Sequence, residues 1–472
     1  MGLSAAEQYL LELINRARLD PQAEANRYGV GLNSGLQSGT IDGSAKQVLA
    51  PNSKLESAAI SHSKWMLSAD TFSHTGAGGS NPGQRMSDAG YQFSGNWTWR
   101  ENLAWTGSTG SINLSRAIEQ HHEGLYRSAG HRANTFAEDI REVGLAQVSG
   151  KFTYQGNTYN ASMLTEKFAK SGGDVYITGV AYNDNNGDWF YSIGEGRKNV
   201  KIIADGENDT SIGSGGYAVA VGKSDKMAVK VVNGNATWAT LDIDTSDGNA
   251  KLDVVRGDNG RWQLETSTDT NLKGGLIKNA KLLGRDNLDL DGSGADNRLE
   301  GNRGNNEIKG GSGKDVIVGM GGNDKIWGGF GWDGLNGGNG NDQVSGGDGN
   351  DRIAGHNGND KLWGNKHNDV LYGGNGNDRL DGGFQNDQLW GGGGRDTFVF
   401  NKGSDRIRDF QDNIDTIAIA RATAGNGTKV SDILDDARIV NGNAILEFDG
   451  GGTLRVDGVS NLNILANDLT II

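Results

Sequence analysis

The stretch GGNGNDQVSGGDGNDRIAGHNGND, residues 337–360, sets an Asp at 342, 351 and 360 and a branched aliphatic two places after the first two, Val344 and Ile353. The same nonapeptide, G-G-x-G-x-D-x-U-x with U apolar, divides the chain from Gly292 to Val399 into twelve units, each opening on Gly. Asp holds the sixth place at Asp315, Asp324, Asp333, Asp342, Asp351, Asp360, Asp369, Asp378, Asp387 and Asp396, with Asn297 and Asn306 at the entrance. The eighth place is apolar from Leu299 to Phe398. Each unit reads as a Gly-rich turn followed by a very short strand, so two units close one coil of a parallel β-roll and residues 18 apart stack. The aliphatics then fill the interior, and the Asp residues form two rows. Like charges stacked about 5 Å apart repel unless neutralised. A hard cation bound by carboxylate and backbone carbonyl oxygens neutralises them, and Gly lets the backbone turn those carbonyls inward. Ca²⁺ is the cation this chemistry selects. A disordered Gly/Asp tract or a metal-free solenoid is the alternative, but neither needs Asp and an aliphatic locked at one offset through ten successive units.

These repeats resemble the RTX family. The resemblance implies a calcium β-roll that is disordered at cytosolic Ca²⁺, folds outside the cell and is exported by the type I secretion machinery. Met320, His356, Asn365, His367 and Gln385 stand where the template has Gly, which weakens the expectation for those half-turns. The following segment, RDTFVFNKGSDRIRDFQDNIDTIAI, is similar to the capping segment of RTX enzymes. The resemblance also implies an uncleaved C-terminal export signal, an acidic residue followed by apolar ones, which here would fall on Asp468 with Leu469, Ile471 and Ile472. An ordinary terminal strand is the alternative there.

Composition agrees with hard-cation chemistry. The 472 residues exceed one ordinary core and suggest three or four units. Seventy-seven Gly against three Pro argues for structural glycine and against a flexible linker. A net charge of −14 argues against nucleic acid and anionic membranes as partners. With no Cys, neither disulfides nor thiolate sites hold the chain. No segment reaches the roughly 18 consecutive apolar residues of a membrane span, and the start, MGLSAAEQYLLELINRARLD, patterns as an amphipathic helix rather than a signal peptide.

Between 174 and about 275, short alternating runs such as DVYITGVAY and MAVKVVNG predict a small antiparallel β-sandwich. Its first turn, DNNGDWFYSIGE, has EF-hand-type spacing for Ca²⁺: Asp184 at position 1, Asn186 at 3, Asp188 at 5, the carbonyl of Phe190 at 7 and Glu195 at 12. Trp189 occupies position 6, where Gly is expected. A metal-free Asx turn is the alternative. The segment is similar to calcium-loop Ig-like domains of bacterial surface proteins over about 30 residues.

Residues 1–170 hold all five His outside the repeats. FSH at 72–74, QRMSDAGY at 84–91, ENLA at 101–104 and SAGHRAN at 128–134 resemble, in that order, the CAP superfamily of SCP-like extracellular proteins in a cysteine-free form. That resemblance implies an α-β-α sandwich whose cleft gathers two His and one or two acids, here His74, Glu101 and His131. Glu123 or His122 is the candidate for the fourth position. Such a set suits Zn²⁺ or another divalent ion, a polar ligand, or a hydrogen-bonded structural cleft. Trp97, Trp99 and Trp105 flank Glu101 and are either core or a stacking surface for a ligand.

An H-E-x-x-H protease is excluded: HHEGL begins the motif, but Tyr126 replaces the second His. Ser61 and Lys64 satisfy S-x-x-K without the S-D-N and K-T-G partners that penicillin-binding chemistry needs. The expected organisation is multidomain: an α-β-α sandwich over 1–170, a β-sandwich over 174–275, a parallel β-roll over 276–400, and a β-rich cap with the export signal over 401–472. The expected function is a secreted calcium-binding protein whose N-terminal domain is a non-enzymatic extracellular effector or binding module, acting on a wall component, lipid or host molecule. A metal-dependent hydrolase using His74, Glu101 and His131, and a structural matrix or surface-layer protein, are the alternatives.

Overall fold

A computed structural model describes residues 2–448 and 451–472. The chain forms two compact units. The first runs through Thr268 and includes Gly275–Ile277 and Leu283–Arg285, and the second comprises Asp269–Gly274, Lys278–Leu282 and Asp286–Ile472.

In the first unit, Ser4 caps α1 (Ala5–Leu19) in a capping box with Glu7, and Asp20 caps α2 (Pro21–Tyr28). Then come β1 (Ala50–Pro51), α3 (Ser53–Ser68), α4 (Pro82–Asp88), β2 (Thr98–Ser108), α5 (Leu114–Arg127), α6 (Ala129–Thr135), β3 (Glu142–Tyr154) and β4 (Asn157–Lys170). The four strands make one sheet in the order β1-β3-β4-β2, antiparallel except for β1 with β3. Alternate residues of β3 and β4 serve opposite faces. Val143, Leu145, Leu164 and Phe168 join Leu10, Ile14, Ile118 and Leu125 of α1 and α5, whereas Met163 packs with Met66 of α3 and Ala169 with Leu55 and Ala58. Helix α3 lies so close to the sheet that a Cβ on Gly144 would collide with the Leu55 backbone. This is the α-β-α sandwich.

Eight further strands follow: β5 (Val175–Asn183), β6 (Val200–Ala204), β7 (Glu207–Thr210), β8 (Gly216–Val221), β9 (Met227–Asn233), β10 (Ala236–Ile243), β11 (Ala250–Arg256) and β12 (Trp262–Thr266). They form the sheets β12-β11-β5-β8 and β7-β6-β9-β10. One pairing departs from the antiparallel expectation: β11 runs parallel to β5, Ala250 opposite Ile177. Between β5 and β11 the chain crosses to the second sheet twice, as β6–β7 and as β9–β10, with β8 between, a connection long enough for parallel pairing. Both parts share one unit, and buried Lys251 of β11 donates to Glu12 of α1 and Asp253. Asn249 likewise donates to the carbonyls of Val48 and Arg141.

The second unit is a parallel roll. On one side Glu307–Ser312, Lys325–Phe330, Gln343–Asp348, Lys361–Lys366 and Arg379–Gly383 pair in succession, and on the other Val316–Gly321, Gly334–Asn339, Arg352–Asn357, Val370–Asn375 and Gln388–Gly393. The register is 18 residues: Ile308 lies opposite Ile326, and Ile317 opposite Leu335. Both aliphatic columns are buried, from Leu290 to Phe398 and from Leu299 to Leu389. Beyond them, Gly403–Ile407 and Thr416–Ile419 continue the two sides. Leu469–Ile471 pairs parallel with Thr416–Ile419, and Asp468 accepts from the Asn413 N–H at 2.9 Å. The segment expected to carry the export signal therefore folds as a strand of the cap.

Candidate functional site

Each Asp of the roll sits where a Gly-rich turn meets a strand and is buried, at 0% to 3% exposure from Asp315 to Asp396. Its two carboxylate oxygens have different fates. Oδ1 accepts the backbone N–H of the residue one coil earlier, as in Asp315 to Asp333, Asp333 to Asp351 and Asp351 to Asp369 at 2.7–2.8 Å. The other row repeats this through Asp324, Asp342, Asp360 and Asp378. Oδ2 of all ten has no hydrogen-bond partner. Burying an unpaired carboxylate oxygen is costly unless a cation completes it.

The glycines frame the same space. A Cβ on Gly319 would collide with Asp324 Oδ2 and the Gly337 carbonyl, and one on Gly328 with Asp333 Oδ2 and the Gly346 carbonyl. The residues fit Ca²⁺: one Oδ2 per turn, with glycine carbonyl oxygens from adjacent coils, is an all-oxygen donor set. Without a cation, burial pushes these carboxyls up, Asp369 to about 8 and Asp351 and Asp387 to about 7.

The row runs further than the expected ten. Asp387 donates to Asp405 Oδ1, and Asp405 Oδ2 is likewise buried and unpartnered. On the other side Asp396 donates to Asp415, whose second oxygen accepts from Gln411. Asp405 lies nine residues after Asp396, with Ile407 two further on, so extending the period past Val399 finds it. Met320, His356, Asn365, His367 and Gln385, at template glycines, keep the left-handed turn, with φ of 77° to 81°.

In the turn after β5, the five expected residues share one loop. Asp184 accepts from Gly187 and Trp189, Asn186 from Asp188, and Asp188 from Phe190. Glu195 accepts from Asn185 at 2.9 Å and from Ser192 at 2.8 Å. Trp189 takes φ 56° at the position expected for Gly. Unlike the roll, this loop leaves no buried carboxylate oxygen without a partner.

In the sandwich cleft, His74 Nδ1 lies 2.8 Å from Glu101 Oε1. Arg85 donates to Glu101 Oε2 at 2.9 Å, and the buried Lys167 ammonium also contacts that oxygen. Arg85 further holds the carbonyls of Ser80 and His74. Burial alone would raise the Glu101 carboxyl, but His74, Lys167 and Arg85 outweigh it and hold it at about 2. Burial, then His74, lowers the His131 imidazole. The two candidates for a fourth position are placed elsewhere. His122 Nε2 lies 3.0 Å from Glu24 Oε1, buried beside Tyr28, and Glu123 pairs with Arg127 at the surface. His122 of α5 thus faces α2, whose Glu24 is also bound to Arg16 and Arg27. Lys167, which the motifs did not single out, is the buried partner of Glu101. Trp99 packs into the core, Trp105 against Phe152, Tyr154 and Tyr159, and Trp97 is 51% exposed beside Phe93.

Among the described residues no three His, Asp or Glu side chains are disposed to share one ion. In the roll the donors are single carboxylates with carbonyls, so this does not touch the calcium rows. In the cleft it does: Glu101 already faces two cationic side chains, a poor fit for Zn²⁺.

An α-β-α sandwich followed by a calcium-ready β-roll is the class that fold and site define. Residues 11–164 match the cysteine-rich secretory protein family, CAP. Four copies of the RTX calcium-binding nonapeptide repeat match over 291–322, 309–344, 345–380 and 372–407. The chain thus carries a CAP domain and RTX repeats, the makings of a calcium-binding, extracellular protein. No curated protein matches it. Among solved structures it is similar to an outer surface protein from Borrelia burgdorferi, at 18% identity over 36% of this chain and 100% of that one, TM-score 0.23. It is also similar to an extracellular SCP-domain protein from Bacillus anthracis, at 23% identity over 27% and 35%, TM-score 0.19. The extracellular lipase LipA from Serratia marcescens matches at 17% identity over 42% and 45%, TM-score 0.20. The chain covers less than half of the last two.

Proposed function

We propose that this protein is exported by the type I machinery, folds its roll on meeting extracellular calcium, and acts through its CAP domain as a non-enzymatic binding or effector module. The observation that carries the calcium step is the file of buried Asp Oδ2 atoms without partners. Only a cation supplied after translation completes them. In the cytosol, where free Ca²⁺ is scarce, the stacked carboxylates favour the unfolded chain, which is the form a secretion channel threads. The export address falls on the segment containing Asp468 to Ile472, and the loop of Asp184 to Glu195 takes a further calcium.

For the CAP domain, binding is favoured over hydrolysis by the state of Glu101. A carboxylate held at about 2 and paired with Arg85 and Lys167 is a weak proton acceptor at neutral pH. The hydrolase reading instead needs a metal-bound water near His74 and His131. The deciding experiment screens the purified full chain, in calcium with and without Zn²⁺, for turnover of and binding to peptidoglycan, lipid and peptide, beside a His74→Ala/His131→Ala variant. Binding without turnover is expected. Zinc-dependent turnover lost in the variant would establish the hydrolase instead.

A further inference from the structure

Lys-Ile-Trp at 325–327 recurs as Lys-Leu-Trp at 361–363, 36 residues or two coils later. Ile326 and Leu362 point into the roll, so the Lys and Trp on either side of each project from the same outer face. The register aligns both pairs: Lys325 lies opposite Gln343 and Gln343 opposite Lys361, while Trp327 lies opposite Ser345 and Ser345 opposite Trp363. At the parallel-strand spacing, each lysine–indole pair is about 9.6 Å from its copy.

Three further observations separate this face from a merely structural surface. Lys309, on the preceding strand, sits over Trp327, 5.7 Å from the ring centroid. Neither Lys325 nor Lys361 has an ion-pair partner among the described residues, on a chain of net charge −14. On the opposite side of the roll, Tyr372 and Trp390 occupy adjacent rungs and stack at 4.7 Å, capped by Arg352 and Arg408. There the ring faces are used up within the protein. Trp327 and Trp363 lie one rung further apart, with Ser345 between them accepting from Asn365 at 2.8 Å.

We propose that this face binds an extended, β-linked acidic polysaccharide with one carboxylate per disaccharide. In such a chain alternate sugars present the same face, so the repeat advances by two sugars, as the protein's repeat advances by two rungs. The apolar C–H face of a sugar ring packs on an indole, and its neighbour's carboxylate meets the lysine on the same strand. An anionic membrane would require positive charge but no linear period. The proposal goes beyond the CAP reading and rests only on the roll being folded with calcium.

The test uses the full chain in calcium with hyaluronan oligosaccharides, which carry one carboxylate per disaccharide, and titration calorimetry. Binding is expected, weakened about tenfold or more, at least about 1.4 kcal/mol, by Trp327→Ala/Trp363→Ala and by Lys325→Glu/Lys361→Glu. Carboxyl-reduced hyaluronan should lose binding comparably, and Trp327→Phe/Trp363→Phe, which keeps the rings, should retain most of it. Circular dichroism with calcium shows whether each variant's roll is folded, independently of any CAP activity. If an alanine or glutamate variant does not fold, Lys325→Gln/Lys361→Gln and the carboxyl-reduced ligand supply the charge test. No binding by the folded wild type, equal binding by folded variants, or preference for phosphatidylglycerol vesicles over hyaluronan would overturn it.

Discussion

Asp333 takes the backbone N–H of Asp315 on one carboxylate oxygen at 2.8 Å and buries the other without a partner. Each Asp is thus fixed by the coil before it and left open toward an ion, so adjacent calcium sites share structure. Replacing Asp351 by Asn keeps the shape but removes the charge from the middle of its row. A charge-assisted contact contributes about 1.5–3 kcal/mol, so the calcium midpoint for folding should rise about tenfold or more. Calorimetry should also count fewer ions per chain. An unchanged midpoint and stoichiometry would remove Asp351 from the binding row.

Acid should compete with calcium. Burial raises the row carboxyls to about 6 for Asp315, Asp378 and Asp396, about 7 for Asp324, Asp351, Asp360 and Asp387, and about 8 for Asp369 and Asp405. Free Asp titrates near 3.9, so the metal-free roll holds more protons than the unfolded chain between these values. Its stability is greatest below about 4 and falls as pH rises through 6 to 8. Calcium needs the ionised form. The calcium midpoint should therefore rise as pH drops from about 8 to about 5.5, while in chelator the β signal should grow on acidification. A pH-independent midpoint would contradict both.

Met320, His356, Asn365, His367 and Gln385, in four half-turns, put a side chain where the template has Gly. Met320 and His356 both sit at φ 81°, a region costing roughly 1–2 kcal/mol for an ordinary residue and little for Gly. Met320→Gly should stabilise the calcium-loaded roll by about 1 kcal/mol after the entropy of the added glycine, read as a higher Tm. Asn365→Gly should change it less, because Asn tolerates this region. Gly338→Ala should be destabilising, since its Cβ would collide with the Met320 carbonyl.

Much of the roll was legible because its chemistry is local and periodic: an inward residue every nine positions, an Asp two before it, a turn between. The row's extension to Asp405 was legible too, but at that point the opening glycines give way to Phe400-Asn401 and the period is easily dropped. The CAP cleft was legible only in part. His74 and Glu101 meet, but Lys167 arrives from β4, far along the chain, and nothing near it in sequence marks it as the partner of Glu101. His122 reads as a cleft residue until the fold shows that α2 brings Glu24 to it. Long-range pairings that occur once leave no period to read.

Glu101 should be structurally costly to neutralise. Glu101→Gln leaves the buried Lys167 ammonium and the Arg85 guanidinium without their carboxylate, a loss on the order of 3–5 kcal/mol for a broken buried pair. Thermal unfolding of the full chain should show the CAP transition shifted down. Adding Lys167→Met to Glu101→Gln should recover part of the loss, because it removes the stranded charge. If both variants unfold like wild type, the cleft is more hydrated than its burial indicates.

The calcium site proposed for the loop after β5 can be tested apart from the roll. Its two ends are tied by Glu195, which accepts from Asn185 and Ser192. Glu195→Gln should keep the loop shape yet remove a carboxylate from the proposed site, weakening its calcium binding by about tenfold or more. The roll's cooperative transition should not move, since its donors lie in the other unit. The fluorescence of Trp189, held at φ 56° within the loop, is a local reporter in a variant whose other Trp residues are Phe. A calcium-induced change in that signal, shifted to higher concentration by Glu195→Gln, is the expected outcome. A signal that ignores calcium would make the loop an Asx turn closed by its own hydrogen bonds.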